Sequence, residues 1–132
     1  MTTYIKRRMT TGTIGADASS ALQFDFGVNA GRAIRIRIER TAGDCADFDW
    51  GLFASSSATP TNLQLAQLDG DSGVTPGAGL DVDAKIPAPE FVTDDGAGIL
   101  QLVLTANGGT GGNVFTATVL MEPGRGQFDV VP

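Results

Sequence analysis

The chain has 132 residues, 18 glycines, one cysteine, no histidine and a formal net charge of −6. A lone cysteine cannot form an internal disulfide, so a disulfide-stapled scaffold is excluded and the fold must be held by packing. Net negative charge argues against nonspecific binding to nucleic acid or anionic lipid. Without a signal peptide or an apolar run of about 18 residues, the sequence predicts a soluble domain that is made in the cytoplasm and does not cross a membrane by the general secretory route.

Positive charge is concentrated early in the chain. Residues 1–40 carry seven Lys and Arg and three acidic residues, whereas residues 41–132 carry two Lys and Arg and twelve acidic residues. One part of the chain can therefore attract the other part of a neighbouring copy, or an acidic partner. The alternative is that these charges are only solvated surface, because exposed ion pairs contribute little.

The first predicted element is an extended N-terminal arm over residues 1–12, which leaves residues 13–132 as one domain. The centre of the arm mixes basic and apolar side chains and is also compatible with an edge strand. An extended segment can add to the sheet of another protein through its backbone. We therefore predict partner binding by Tyr4, Ile5, Lys6, Arg7, Arg8 and Met9.

Apolar residues then recur at every second position, as in strands with one buried face. The first run is Leu22, Phe24, Phe26 and Val28, and the second is Ile34, Ile36 and Ile38. The turn residues between them predict that the two runs form an antiparallel hairpin. A third run, Phe48, Trp50 and Leu52, predicts a strand with Trp50 in the core and Phe53 on the opposite face.

The second half of the chain predicts weaker strands followed by two strong ones. A strand is expected around Leu63, Leu65 and Leu68, and residues 69–98 should be long loops with short strands at residues 80–86 and 91–92. Residues 99–106 and 113–122 are apolar on both faces, which is typical of central strands, and the glycine-rich segment 107–112 should be the flexible hairpin tip between them. The expected fold is all-β, an antiparallel β-sandwich or jelly roll of about seven to nine strands.

Several of these segments carry a family pattern. They are Phe24-Asp25-Phe26, Ala30-Gly31, the strand from Ile34 to Ile38, the run from Asp47 to Phe53 and the segment from Gly112 to Ala117. Together, within residues 22–54 and 98–121, they resemble the bacterial pre-peptidase C-terminal domains, which are jelly-roll-like. The resemblance covers a little under half of the chain and implies a β-sandwich without catalytic function.

The residue types needed for catalysis are scarce. Without histidine, a nucleophilic triad lacks its usual base and a zinc site lacks ligands. Cys45 lies among acidic residues, a poor setting for a nucleophilic thiol, so it should be inert. Asp47 and Asp49 share one strand face, whereas a glycosidase holds its two carboxyls across a bond, so these are expected to be surface residues. We predict no enzyme and no catalytic residue.

Acidic loops could bind a hard cation. The four carboxylates considered as calcium ligands are Asp69, Asp71, Asp94 and Asp95. An EF-hand loop beginning at Asp69 would need a glutamate where the chain has Leu80, so any calcium site would be irregular. No other cofactor is expected.

Arginines on the second alternating run suggest a contact surface. Arg35 and Arg37 share a polar strand face with Glu39, and we predict that they form an inter-subunit face together with Phe53. A groove for RNA or DNA is the disfavoured alternative because the protein as a whole repels nucleic acid.

A second resemblance is one of overall style. A compact, Gly-, Thr- and Ala-rich, cysteine-poor all-β chain of this length with an extended arm is similar to the head decoration or cement proteins of tailed bacteriophages. The resemblance implies a virion protein that binds the major capsid protein or another virion protein and forms a homo-oligomer, with a trimer favoured. The alternative is a carbohydrate- or calcium-binding sandwich of a phage tail or adhesion component, and an enzyme of unfamiliar type is third.

Overall fold

The computed structural model describes residues 4–26, 31–55, 65–86 and 99–122. This part of the chain forms eight strands in two antiparallel sheets, and it contains no helix that could cross a membrane. The strands are β1 Ile5–Thr10, β2 Ser19–Asp25, β3 Arg32–Ala42, β4 Asp47–Ser55, β5 Leu65–Val74, β6 Val82–Lys85, β7 Ile99–Asn107 and β8 Val114–Glu122. Sheet I has the order β1-β8-β3-β6 and sheet II the order β2-β7-β4-β5.

The chain crosses between the two sheets at every connection except the one from β4 to β5. Eight strands shared in this way between two four-stranded sheets define a jelly roll. The predicted all-β sandwich is therefore confirmed.

Alternating apolar side chains from both sheets fill the space between them. On β4, Phe48, Trp50 and Leu52 are buried, and Trp50 is 6% exposed, as predicted. The ring of Phe48 lies 4.9 Å from the ring of Phe115 on β8, which joins the two sheets through an aromatic pair. Other core residues with no more than 1% exposure are Phe24, Ala33, Ile36, Ile38, Leu100, Leu102, Leu104, Ala106, Ala117, Val119 and Met121.

The predicted hairpins are wrong, although the strands exist. β2 lies in sheet II and pairs with β7, whereas β3 lies in sheet I and pairs with β6 and β8. Segment 107–112 likewise joins β7 in sheet II to β8 in sheet I, so it is a connection between sheets and not a hairpin tip. Both β7 and β8 are central strands, as predicted. Alternation identifies the buried face of a strand but not its neighbour.

A bulge alters the predicted alternation at the start of β3. The register with β8 shifts between Ala33 and Arg35, so Ile34 is the additional residue. Ala33 is consequently buried against the core, while Ile34 is only half-buried.

The middle of the chain contains more strand than predicted. Residues 69–74 belong to β5 rather than to a loop, and β6 lies within the short strand expected at residues 80–86. Val28, Leu63 and the short strand predicted at residues 91–92 lie outside the described residues.

Candidate interaction face

The segment expected to be an arm is the edge strand of sheet I. β1 pairs with β8 from Ile5 opposite Met121 to Thr10 opposite Thr116. Its other edge has no strand neighbour in the described part of the chain. Lys and Arg along such an edge protect it from uncontrolled strand pairing.

The six predicted arm residues divide between the two sides of β1. Ile5 packs against the core, and the Arg7 guanidinium lies 5.5 Å from the centre of the Phe26 ring. Lys6 and Arg8 lie on the outer side, and Tyr4 and Met9 are exposed.

Strand register brings five cationic side chains together on the outer side of sheet I. Residues directly opposite each other on neighbouring strands share one face of a sheet. One row runs from Lys6 across Leu120 and Arg35 to Lys85, and the next row contains Arg8, Thr118, Arg37 and Asp83. We call the surface formed by Lys6, Arg8, Arg35, Arg37 and Lys85 the basic face.

Two carboxylates compensate part of this charge, Glu39, which lines the same depression as Lys6 and Arg8, and Asp83. Asp83 Oδ1 accepts hydrogen bonds from Arg35 Nε at 2.6 Å and from Arg37 Nε at 3.3 Å. The bond from Arg35 is the main cause that lowers the pKa of the Asp83 carboxyl below its usual value. Within the described residues, Lys6, Arg8 and Lys85 form no ion pair, so the basic face keeps an excess of positive charge.

Two shallow depressions cover the basic face and carry exposed apolar side chains at their margins. The larger, about 440 Å³, is lined by Arg35, Lys85 and Tyr4 among others, and the smaller, about 230 Å³, by Lys6, Arg8 and Leu80 among others. Tyr4 is 50% exposed and Leu80 is 54% exposed. Arg and Tyr side chains are enriched at surfaces that bind another protein.

Phe53 lies on the other side of the molecule. It belongs to β4 in sheet II, and its ring covers Gly51 on the outer side of that sheet, where a Cβ on Gly51 would lie 2.8 Å from the ring. The outer sides of two packed sheets point in opposite directions. The predicted inter-subunit face that combined Arg35 and Arg37 with Phe53 is therefore wrong as a single surface.

Charge is segregated between the sheets. The strands of sheet I carry eight Lys and Arg against three acidic residues, whereas those of sheet II carry five Asp and no Lys or Arg. The charge asymmetry along the sequence therefore becomes an asymmetry across the sandwich.

Sequence reasoning missed a buried polar centre at one end of the sandwich. Asn113 is fully buried; its Oδ1 accepts from the Cys45 amide at 3.0 Å, and its Nδ2 donates to the Ile14 carbonyl at 3.1 Å. One side chain thus ties together the connections before β2, before β4 and before β8. Asn113 precedes an apolar strand without any local signal, so only the fold reveals this role.

The glycine-rich segment 107–112 is held by carboxylates of neighbouring loops. Asp44 accepts from the Thr110 hydroxyl at 2.7 Å and from the Thr110 amide at 2.9 Å, and the pKa of the Asp44 carboxyl is lowered chiefly by the hydroxyl bond. Asp17 Oδ1 accepts from the Gly108 amide. Asp44 and Asp17 therefore have a structural role, because their hydrogen bonds hold segment 107–112 in place.

The carboxylates considered for catalysis are also engaged in the fold. Asp47 accepts from Asn107 Nδ2 at 2.8 Å, and Asp49 accepts from the Gly73 amide at 2.9 Å. Cys45 is buried, and its carbonyl accepts from Arg40 Nη1 at 2.8 Å.

Two of the four predicted calcium ligands are described. Asp69 and Asp71 lie in strand β5, and each accepts from the amide of the following residue, at 2.8 Å. Asp94 and Asp95 lie outside the described residues. In the described ranges, no three or more Cys, Asp and Glu gather as metal ligands. Calcium binding stays a prediction.

Comparisons add little beyond this geometry. No protein-family model and no curated protein matches the chain. Among solved structures, it is similar to the K3 cleaved adhesin domain of Lys-gingipain from Porphyromonas gingivalis, with 12% identity, TM-score 0.37 and coverage of 87% of this chain and 63% of that chain.

Two further similar structures are viral. The infectious bursal disease virus VP2 subviral particle has 13% identity and TM-score 0.36 over 89% of this chain and 33% of that chain. The structure of infectious bursal disease virus Gx strain has 12% identity and TM-score 0.32 over 92% and 37%. The chain thus spans less than two thirds of each of these proteins, and likeness at such TM-scores carries no argument about function.

Proposed function

We propose that this protein is a non-catalytic structural subunit of a virion, a decoration or cement protein that binds the capsid surface and sister subunits. The observation that carries the proposal is the basic face, where five Lys and Arg lie beside exposed Tyr4 and Leu80 on a rigid sheet.

The physical argument is one of shape and charge. Sheet I is backed by a packed core, so its outer side chains are held on a firm, nearly continuous surface. Charge complementarity orients a partner and speeds its approach, while exposed apolar side chains supply contact area. A partner with an acidic surface, such as a capsid protein or a second copy of this chain, fits the basic face.

The test is co-sedimentation of the purified chain with empty heads of the virus that encodes it. The chain should sediment with the heads, and a Lys6→Gln/Arg8→Gln/Lys85→Gln variant should bind at least about threefold more weakly, because exposed ion pairs contribute about 0.2–1 kcal/mol each. Light scattering gives the oligomer number of the chain before it meets the heads. A control Thr13→Ala variant, in the exposed connection between β1 and β2, should bind the heads as wild type does.

Equal binding of the wild type and the basic-face variant, or no binding of either, would contradict the proposal. A circular dichroism melt of each variant verifies that it is folded.

A further inference from the structure

The segregation of charge between the sheets points to the occupant of the basic face: we propose that it binds the acidic outer side of sheet II of a second copy of this chain. This inference rests on the proposed structural role and names the partner of the same surface. Copies would then add head to tail.

The first step of the argument is the distribution of charge. Eight of the nine Lys and Arg of the sequence lie in the strands of sheet I, and Arg125 lies outside the described residues. The strands of sheet II carry five Asp and no cation; Asp25, Asp47 and Asp49 lie on the outer side, whereas Asp69 and Asp71 stand opposite the buried Leu52 and Trp50. The two sheets therefore have opposite charge within a protein whose total charge is −6. Two copies that meet with the same sheet would repel each other, whereas sheet I against sheet II attracts.

The second step concerns which carboxylates are presented. Asp47 and Asp49 alternate along β4 with the buried Phe48 and Trp50, so their side chains lie on the outer side of sheet II. Each is held by a hydrogen bond to a neighbouring strand or turn, at 2.8 Å for Asp47 and 2.9 Å for Asp49. The acidic charges are thus held in place, like those of the basic face.

The third step is the apolar part of the contact. Tyr4 and Leu80 are half-exposed on the sheet I side, and Phe53 is partly exposed on the sheet II side. A contact between the two sides would cover all three, which no described segment of the same chain does. Because two different patches on opposite sides of the sandwich meet, the interface is heterologous, and repetition continues as an open stack.

The experiment uses two variants of the full chain, each of which replaces charged side chains on one of the two faces with neutral ones. Lys6→Gln/Arg8→Gln/Lys85→Gln neutralises the basic face and leaves the Arg35 and Arg37 bonds to Asp83 intact. Asp47→Asn/Asp49→Asn neutralises the other side and keeps an oxygen acceptor for each existing hydrogen bond. Sedimentation velocity and light scattering measure association of wild type, each variant and their mixture.

Wild type should associate in a concentration-dependent way that weakens when ionic strength rises from about 0.1 M to about 1 M, as the Debye length falls from about 10 Å to about 3 Å. Each variant alone should associate about tenfold more weakly. The mixture retains one intact pair of faces, so it should form a 1:1 pair and nothing larger. Carbodiimide treatment of a mixture of ¹⁴N and ¹⁵N chains should join Lys6 or Lys85 of one copy to Asp47 or Asp49 of another.

Wild type that stays monomeric at low salt, or a mixture that recovers no pairing, would overturn the inference. The two proposals fail separately. Binding to heads by chains that never self-associate contradicts only the head-to-tail contact, whereas self-association without binding to heads contradicts only the capsid role.

Discussion

Replacing Asn113 with alanine tests how the end of the sandwich is held together. The change removes the side-chain bonds to the Cys45 amide, 3.0 Å, and to the Ile14 carbonyl, 3.1 Å. The backbone bridge between residues 14 and 113 remains, with N···O distances of 2.7 and 3.0 Å, so the Ile14 carbonyl keeps one donor. The buried Cys45 amide loses its partner.

The structure sets the size of the effect. A buried donor left without a partner costs about 1–3 kcal/mol, and a typical hydrogen bond contributes about 0.5–1.5 kcal/mol net. Asn113→Ala should therefore lower the free energy of unfolding by about 2–4 kcal/mol. Urea denaturation followed by Trp50 fluorescence measures this loss, and the denaturant slope should not change.

The matched control is Thr110→Ala in the same connection, which removes one exposed hydroxyl bond to Asp44. It should cost less than about 1 kcal/mol, since substitutions at the surface usually have small effects. Hydrogen exchange should show the Cys45 amide less protected in Asn113→Ala only. A loss below about 0.5 kcal/mol with the Cys45 amide still protected would refute the reasoning.

Three further predictions concern backbone, charge and core. Gly43 has φ 103°, and a Cβ there would collide with the Asn113 side chain, whereas Gly73 has φ 69° and open space around it. Urea denaturation should show that Gly73→Ala lowers the free energy of unfolding by about 1–2 kcal/mol and that Gly43→Ala lowers it further. Arg35 lowers the pKa of the Asp83 carboxyl in the folded protein, so this ion pair stabilises the fold above pH about 4, and that contribution is lost as pH falls through the lower folded pKa. Asp83→Asn should therefore flatten the acid side of a plot of the free energy of unfolding against pH, and an unchanged plot would count against the ion pair. Trp50 Nε1 is buried without a hydrogen-bond partner among the described residues, so Trp50→Phe should cost less in a thermal melt than Leu52→Ala, which creates a cavity worth about 2–5 kcal/mol.

Strand positions and buried faces could be predicted from the sequence because both follow from local alternation. Phe24, Phe48 and Trp50 are buried where the period of two places them. The neighbours of each strand could not be predicted, because β2 and β3 can bury their apolar faces in the core either as a hairpin or as strands of opposite sheets. The face of Ile34 could not be predicted either, because the bulge in β3 interrupts the alternation at this residue.

The candidate site was predictable only in part. The charge difference between the two halves of the chain is visible in the sequence, and Arg35 and Arg37 were correctly paired on one face. Only the strand register shows that Lys6, Arg8 and Lys85 share this face with the two arginines, and only the assignment of strands to sheets shows that Phe53 lies on the other side of the sandwich. Which charged side chains of a sequence form one surface depends on the position of each strand in the sheets.

The most direct test of the basic face as the binding surface is acetylation of lysine followed by mass spectrometry. Lys6 and Lys85 are the two lysines of the sequence, and both lie on this face. The account predicts that both react several-fold more slowly in the assembled particle than in the free chain at high salt. Equal reactivity of both lysines in the two states would contradict it.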